Sequence, residues 1–348
     1  MNEAAILDHT IAALAPLGLK AQQQKHPAHK PEADAWLRLE KDKRHVDYVV
    51  EIKRTVQPAT LGAMVARLRR LAVEAEREPL LITTHVTPPM AEQLRTLNQA
   101  FADTAGNAYI NGLGLTVLVM GRKPEQRPVA VRAEGKAFTT AGLKVVFALI
   151  CEPELAKAPH RAIAAAANVA LGVIPAVFAD LHKLGFAAAY GRKRALHPNR
   201  RLLDHWAVAY ARTLRPKTLV RKVMPDQFDG WKGWNPGEFG GQWGGEAGGA
   251  LLTNYLRPGE ITLYADKVPG LWLGQRKART PVAGAEARLL ELRKPFWGKT
   301  LKHPEGVPAD IVPPVLVYAD LLATGDGRCI ETAELVYDAH LARLFPAY

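Results

Sequence analysis

Three residues near the start of the chain have types and spacing suited to phosphodiester chemistry. Asp34 precedes one stretch with strand character, Ala35 to Glu40, and Glu51 and Lys53 close the next, Val46 to Lys53. Residues two apart on a strand point to the same face, so Glu51 and Lys53 project together. An acid on one strand and Glu-x-Lys on its partner can hold a divalent metal and activate a water for phosphodiester cleavage. On this reading Asp34 and Glu51 are the catalytic Mg²⁺ ligands and Lys53 orients or polarises the attacking water. A second acid would have to come from the first helix, where Glu3 and Asp8 are available. The same residue types also serve simply to keep an edge strand soluble.

A second constellation is electrostatic. Between Phe186 and Val223 stand ten basic residues and one acid, Asp204, so this segment carries nine of the chain's twelve net positive charges. Each Lys or Arg that replaces a condensed counterion adds salt-dependent affinity for a phosphate backbone, which makes double-stranded DNA the expected partner. Arg192, Lys193, Arg194, Arg200 and Arg201 are the expected DNA-binding residues.

The elements that must position this charge come immediately before it. His160 to Gly185 reads as a helix-turn-helix: a short alanine-rich helix around Ile163, a turn at Asn168 and Val169, and a second helix ending at Gly185. Val173, Ile174, Val177, Phe178, Leu181 and Leu184 carry its 3.6-residue apolar period. Ala164 and Ala165 are small enough for the helix crossing, and Asn168 tolerates positive φ. A β-hairpin wing is expected after Gly185. The groove-facing positions Ala170, Val173, Pro175, Ala176 and Ala179 cannot hydrogen-bond a base edge, so specificity would have to come from elsewhere.

The remaining patterning predicts an α/β chain. Residues 4–18 read as a helix, followed by the hairpin that carries Asp34, Glu51 and Lys53. Residues 59–77 form an amphipathic helix with Arg67, Arg69 and Arg70 outward; residues 79–84 form a buried strand and 88–98 a helix. Two strands follow around a turn at Thr104 to Asn107, bracketed by Asp103 and Asn107, which suit turns because they bond the local backbone. Thr139 to Ile150 begins the next domain, with Thr139 or Thr140 as its cap. The glycine-rich stretch 230–249, holding Trp231, Trp234 and Trp243, lacks the Lys-Ser/Thr of a phosphate-binding loop and reads as a structural loop held by its tryptophans. Strands at 261–266 and 287–293 and a helical end complete the chain.

These elements fall into three domains, 1–128, 129–223 and 224–348. The start has acids where a signal peptide has Lys or Arg, and no apolar run approaches a membrane span, so a cytoplasmic protein is expected. Cys151 and Cys329 stand far apart without a His or Cys cluster and read as buried, reduced thiols.

Two resemblances follow from these stretches. Residues 30–55 resemble the restriction-endonuclease-like, or PD-(D/E)XK, family through Asp34, Glu51 and Lys53. PLLITTHVTPPMAEQLRTLNQAFADTAGNAYI, the helix-turn-helix, QWGGEAGGALLTNYLRPGEITLYAD and VLVYADLLATGDGRCIETAELVYDAHL resemble the AbiEi-like antitoxin and transcriptional-regulator family of type IV toxin–antitoxin (abortive infection) systems, with Asp103 to Asn107 as a family motif. The resemblance implies a restriction-endonuclease-like N-terminal domain, a central winged helix-turn-helix and a C-terminal mixed α/β domain. It also implies a bacterial repressor of its own operon with no required cofactor, whose functional partner is a nucleotidyltransferase-like toxin. The alternative is a Mg²⁺-dependent endonuclease targeted by its winged helix.

Overall fold

The computed structural model describes residues 3–25, 33–112, 114–123, 135–190, 193–281 and 288–346 of a mixed α/β chain. The chain divides into two compact units, Met1–Ala133 and Glu134–Tyr348.

The first unit is built on one curled sheet. Its elements are α1 (Glu3–Leu14), β1 (Lys20–Gln23), β2 (Ala35–Lys41), β3 (Arg44–Lys53), α2 (Pro58–Ala75), β4 (Glu78–Thr83), α3 (Pro88–Thr96), β5 (Ala100–Asp103), β6 (Ala108–Gly112) and β7 (Leu115–Val119). The strands lie in sequence order, with β3, β4 and β5 parallel and the outer pairs antiparallel. Asp42 and Lys43, both at positive φ, make the tight β2–β3 turn that matches the strands' twist. Arg44 on β3 donates to the Gly114 carbonyl ahead of β7 at 3.0 Å, which ties the curl.

Alternation along β3 sorts its side chains by face. Tyr48, Val50 and Ile52 join Ile6, Leu7 and Leu14 of α1 in one core, and the intervening Val49 and Glu51 are buried on the other face. Two features differ from what the sequence pattern predicts. Residues 100–121 form three strands, because Gly114 at φ 79° supports an additional reversal between β6 and β7. Arg67 and Arg69 do not point outward: Arg67 reaches Glu51, and Arg69 donates to the Leu97 carbonyl. With α2 buried along most of its length, both guanidinium stems pack while their heads find acceptors.

In the second unit come α4 (Thr140–Cys151), α5 (His160–Ala167), α6 (Val173–Lys183), β8 (Ala187–Tyr190), β9 (Lys193–Leu196), α7 (Arg200–Ala209), a π-helical turn (Tyr210–Leu214), α8 (Arg215–Thr218) and β10 (Leu219–Val223). Then follow β11 (Gln242–Gly244), α9 (Gly245–Thr253), β12 (Glu260–Tyr264), α10 (Gly270–Gln275), β13 (Leu289–Arg293), α11 (Pro314–Leu322) and α12 (Gly327–Val336). The larger sheet runs β10-β13-β12-β11, and β8 and β9 form a separate hairpin. Thr139 caps α4 by accepting from the Gly142 N–H. The segment 230–244 is held by its tryptophans: Trp231 and Trp234 pack on Trp243, and Trp234 packs on Trp272. The glycines after it open α9, where Gly248 and Gly249 let that helix approach Val317 and Leu321 of α11.

Among the described residues no helix is long and apolar enough to cross a membrane. Cys329 is buried and Cys151 partly so, both as free thiols, and burial pushes both thiol pKa values up.

Candidate nucleic-acid interface

The helix pair at 160–183 is shaped by its turn. Asn168 ends α5 in the left-handed region, φ 51°, and its N–H returns to the Ala165 carbonyl. Ile163, Ala164, Ala166 and Ala167 face inward from α5; Ala165, expected at the crossing, is exposed. From α6, Ile174, Val177, Phe178 and Leu181 are buried, while Leu184 past its end is over a third exposed. Gly185 at φ 77° reverses the chain into the β8–β9 hairpin.

The outer face of α6 presents Gly172, Pro175 and Ala179 fully and Val173 and Ala176 in part, with Lys183 exposed at its C-terminal end. Ala170 and Leu171, in the turn, are also exposed. The one carboxylate on α6, Asp180, accepts from the Ala137 N–H and so is turned onto the fold. This face is therefore lined by small side chains, with its one carboxylate turned onto the fold, a shape that can lie close to a phosphate-lined groove.

The basic run has several separate fates. Arg192 and the side chain of Lys193 lie outside the described residues. Arg194 donates to the Ala156 carbonyl at 3.2 Å and the Ala158 carbonyl at 2.6 Å, with its guanidinium 5.0 Å from the Phe178 ring centroid. It locks the hairpin onto the helices. Arg200 pairs with Glu334 and lies 3.5 Å from the Tyr337 ring centroid; Arg201 lies over Phe186. Arg215 and Lys222 run into the larger sheet.

That sheet encloses a polar network missed by sequence reasoning. Asp320 of α11 accepts from Tyr210, Tyr264 and the Arg215 Nε, each at 2.9 Å. Arg215 also reaches Glu291 of β13, which Arg293 and Lys222 grip from either side. Burial would raise the Glu291 pKa, but Arg215, Arg293 and Lys222 bring it down to about 2. Glu260 goes the other way, to about 7, through burial and the adjacent Glu291 charge. Burial and Asp320 push both tyrosines up. A largely buried, hydrogen-bonded network of this kind ties the π-helical turn, α8 and α11 to the sheet and offers no open substrate surface. Two Tyr-Ala-Asp repeats, at 264–266 and 318–320, were the available signal, but their sequence separation hid which tyrosine meets which acid.

In the first unit, Asp34, Glu51 and Lys53 do come together. Lys53 Nζ lies 2.6 Å from Glu51 Oε1 and 3.3 Å from Asp34 Oδ2, and Asp34 also accepts from the Ile52 N–H at 2.7 Å. Glu3 senses the same cluster: burial, then Asp34, raises its pKa. Yet Glu51 already carries two cations, Lys53 and Arg67, on one oxygen. Among the described residues no group of three His, Cys, Asp or Glu is placed to hold a metal ion. The arrangement fits a charge-compensated cluster better than a Mg²⁺ site. Asp103 and Asn107 are fully buried turn-makers: Asp103 accepts from the Ala105 and Asn107 N–H groups and from Asn107 Nδ2, and Asn107 in turn holds the Arg122 backbone.

Residues 195–342 match the family described as transcriptional regulator, AbiEi antitoxin, type IV TA system. The match begins inside β9, so α5 and α6 precede it, as does the Asp103–Asn107 turn. No curated protein and no solved structure matches the chain.

Proposed function

We propose that this protein is a DNA-binding transcriptional regulator acting as the antitoxin and autorepressor of a type IV toxin–antitoxin system. α5 and α6 with the β8–β9 hairpin act as a winged helix-turn-helix on duplex DNA, and the partner is a nucleotidyltransferase-like toxin. The observation that carries the reading is the α5–turn–α6 pair: its inner face is core, its outer face is small and free of acids, and a hairpin follows directly. The family match on the same unit supports the regulatory role.

With no hydrogen-bonding side chain at Val173, Pro175, Ala176 or Ala179 of the outer α6 face, affinity comes mainly from phosphate contacts, and sequence preference from the hairpin and from DNA shape. The metal-dependent endonuclease has no comparable support, since Lys53 and Arg67 already compensate Glu51.

The test is duplex binding across a salt titration, with and without Mg²⁺. The wild type binds with affinity that falls steeply with salt and leaves the DNA intact. Ala179→Glu, a change at an exposed position, weakens binding by about tenfold or more through repulsion of phosphates. Salt-independent binding, or an unaffected Ala179→Glu variant, overturns the reading; Mg²⁺-dependent cutting that Glu51→Ala abolishes replaces it with the nuclease.

A further inference from the structure

The surface beside the α5–α6 turn holds a shallow hollow of about 360 Å³, lined among others by Arg161, Asn168 and Leu171. We infer that this hollow seats a backbone phosphate of duplex DNA, with Arg161 as its counter-charge. The inference rests on the DNA-binding reading and adds to it a residue outside the basic run.

Of the two exposed cations on the helix pair, Arg161 and Lys183, only Arg161 borders the hollow. Arg194 is tied to two carbonyls, Lys157 pairs with Glu154 at 2.6 Å, and Lys302 pairs with Glu152 at 3.2 Å. Arg161, exposed at the start of α5, has no carboxylate partner among the described residues. Of the acids flanking the helix pair in sequence, Glu152 and Glu154 are paired with those lysines, and Asp180 is turned onto the Ala137 N–H. An unpaired guanidinium on a concave wall offers several N–H donors in one plane, and a tetrahedral phosphate accepts two at once. The exposed Asn168 amide on the same wall can add a neutral donor.

The hollow also adjoins the surface proposed to meet the duplex. It shares Leu171 and the turn with the N-terminal end of α6, whose outer residues are too small to hold a duplex away. A duplex laid against Pro175 and Ala179 brings its sugar-phosphate strand to the turn, and Arg161 meets it there.

The experiment compares wild type, Arg161→Gln and Arg161→Lys for binding to a mixed-sequence duplex over a salt series, with inorganic phosphate added at matched ionic strength as a second arm. One phosphate contact contributes about one to the slope of log K against log salt. Arg161→Gln is expected to bind more weakly with a slope shallower by about one, Arg161→Lys to keep the wild-type slope, and millimolar phosphate to displace nothing. An unchanged Arg161→Gln slope overturns the inference and leaves the DNA reading standing. Displacement by inorganic phosphate in the wild type, but not in Arg161→Gln, overturns it in favour of a free-phosphate site. Absence of duplex binding by the wild type overturns both. Because Arg161 is exposed, the unfolding midpoint of each variant should match the wild type, which separates a lost contact from a lost fold.

Discussion

The backbone N–H of Gly298 donates to the Ala166 carbonyl at 2.7 Å, so a residue beyond β13 closes the C-terminal end of α5. The approach is so close that a Cβ at position 298 would stand 1.8 Å from the Ala165 carbonyl oxygen. Phe296 and Trp297, just before it, pack on Phe147 of α4. The segment matching the regulator family thus sets the seat of the helix pair that precedes it. Gly298→Ala should destabilise the protein by about 1–3 kcal/mol through overpacking. It should also weaken duplex binding, because α5 must shift; urea unfolding and a binding isotherm on the same preparation check both. An unchanged affinity with lowered stability would show that the contact supports only the fold.

Asp320 is the hub of the buried network and should be its most sensitive position. Asp320→Asn keeps the shape but removes the charge opposite Arg215, and breaking a buried pair from one side costs about 3–5 kcal/mol. Tyr264→Phe removes one hydrogen bond to that carboxylate and should cost about 1–3 kcal/mol. Denaturant unfolding of the two variants tests the ranking; equal losses would contradict the central role of Arg215.

The two glutamates that meet Lys222 give opposite pH dependence. Glu291, held down to about 2, contributes stability that is present above its ordinary value of 4.5 and lost as pH falls through about 2. Glu260, raised to about 7, has the reverse sign: the folded state binds its proton more tightly, so stability is greatest below 4.5 and declines as pH rises through about 7. Glu260→Gln should remove that decline and be more stable than wild type at pH 8. Unfolding free energies at pH 5 and pH 8 decide it, and a decline that persists in the variant would assign the effect to another group.

The Glu51 cluster makes a further distinction measurable. Glu51→Ala leaves Lys53 and Arg67 facing each other without a carboxylate between them, and should cost about 1–3 kcal/mol. Millimolar Mg²⁺ should leave the wild-type unfolding midpoint unchanged. A Mg²⁺-dependent rise that Glu51→Ala abolishes would mean that the ion displaces the two cations and binds the folded state.

Much of the local architecture was legible because it rests on local chemistry. The β2–β3 hairpin, the apolar face of α6, the Thr139 cap and the left-handed Asn168 all follow from residues within one turn or strand of each other. The approach of Lys53 to Glu51 also followed from period-2 geometry, and that of Asp34 from its place at the start of the partner strand. What escaped depended on partners far away in the chain. Nothing near Arg194 announces the carbonyls at 156 and 158, and nothing near Arg215 announces Asp320. A run of cations therefore read as one surface when several of its members hold separate parts of the fold. Arg161 escaped for the complementary reason: it is a single cation in an alanine-rich helix, visible only once its neighbours' charges are seen to be occupied.

Arg194 provides the sharpest contrast with Arg161. Its guanidinium bridges the β9 strand to the carbonyls of Ala156 and Ala158 and covers Phe178, so its charge is directed into the protein rather than toward a ligand. Removing it leaves two acceptors short of partners and uncovers an aromatic face, at a cost of about 1–3 kcal/mol concentrated in the hairpin. Arg194→Ala should therefore speed amide hydrogen exchange across Ala187–Tyr190 and Lys193–Leu196 while α6 stays protected. Duplex affinity should fall modestly, since the hairpin is less well placed, but the salt slope should stay at the wild-type value because no phosphate contact is lost. Arg194→Lys should not restore protection, as an ammonium cannot span two carbonyls in the guanidinium plane. A slope shallower by about one in Arg194→Ala, with unchanged exchange, would instead make Arg194 a phosphate ligand.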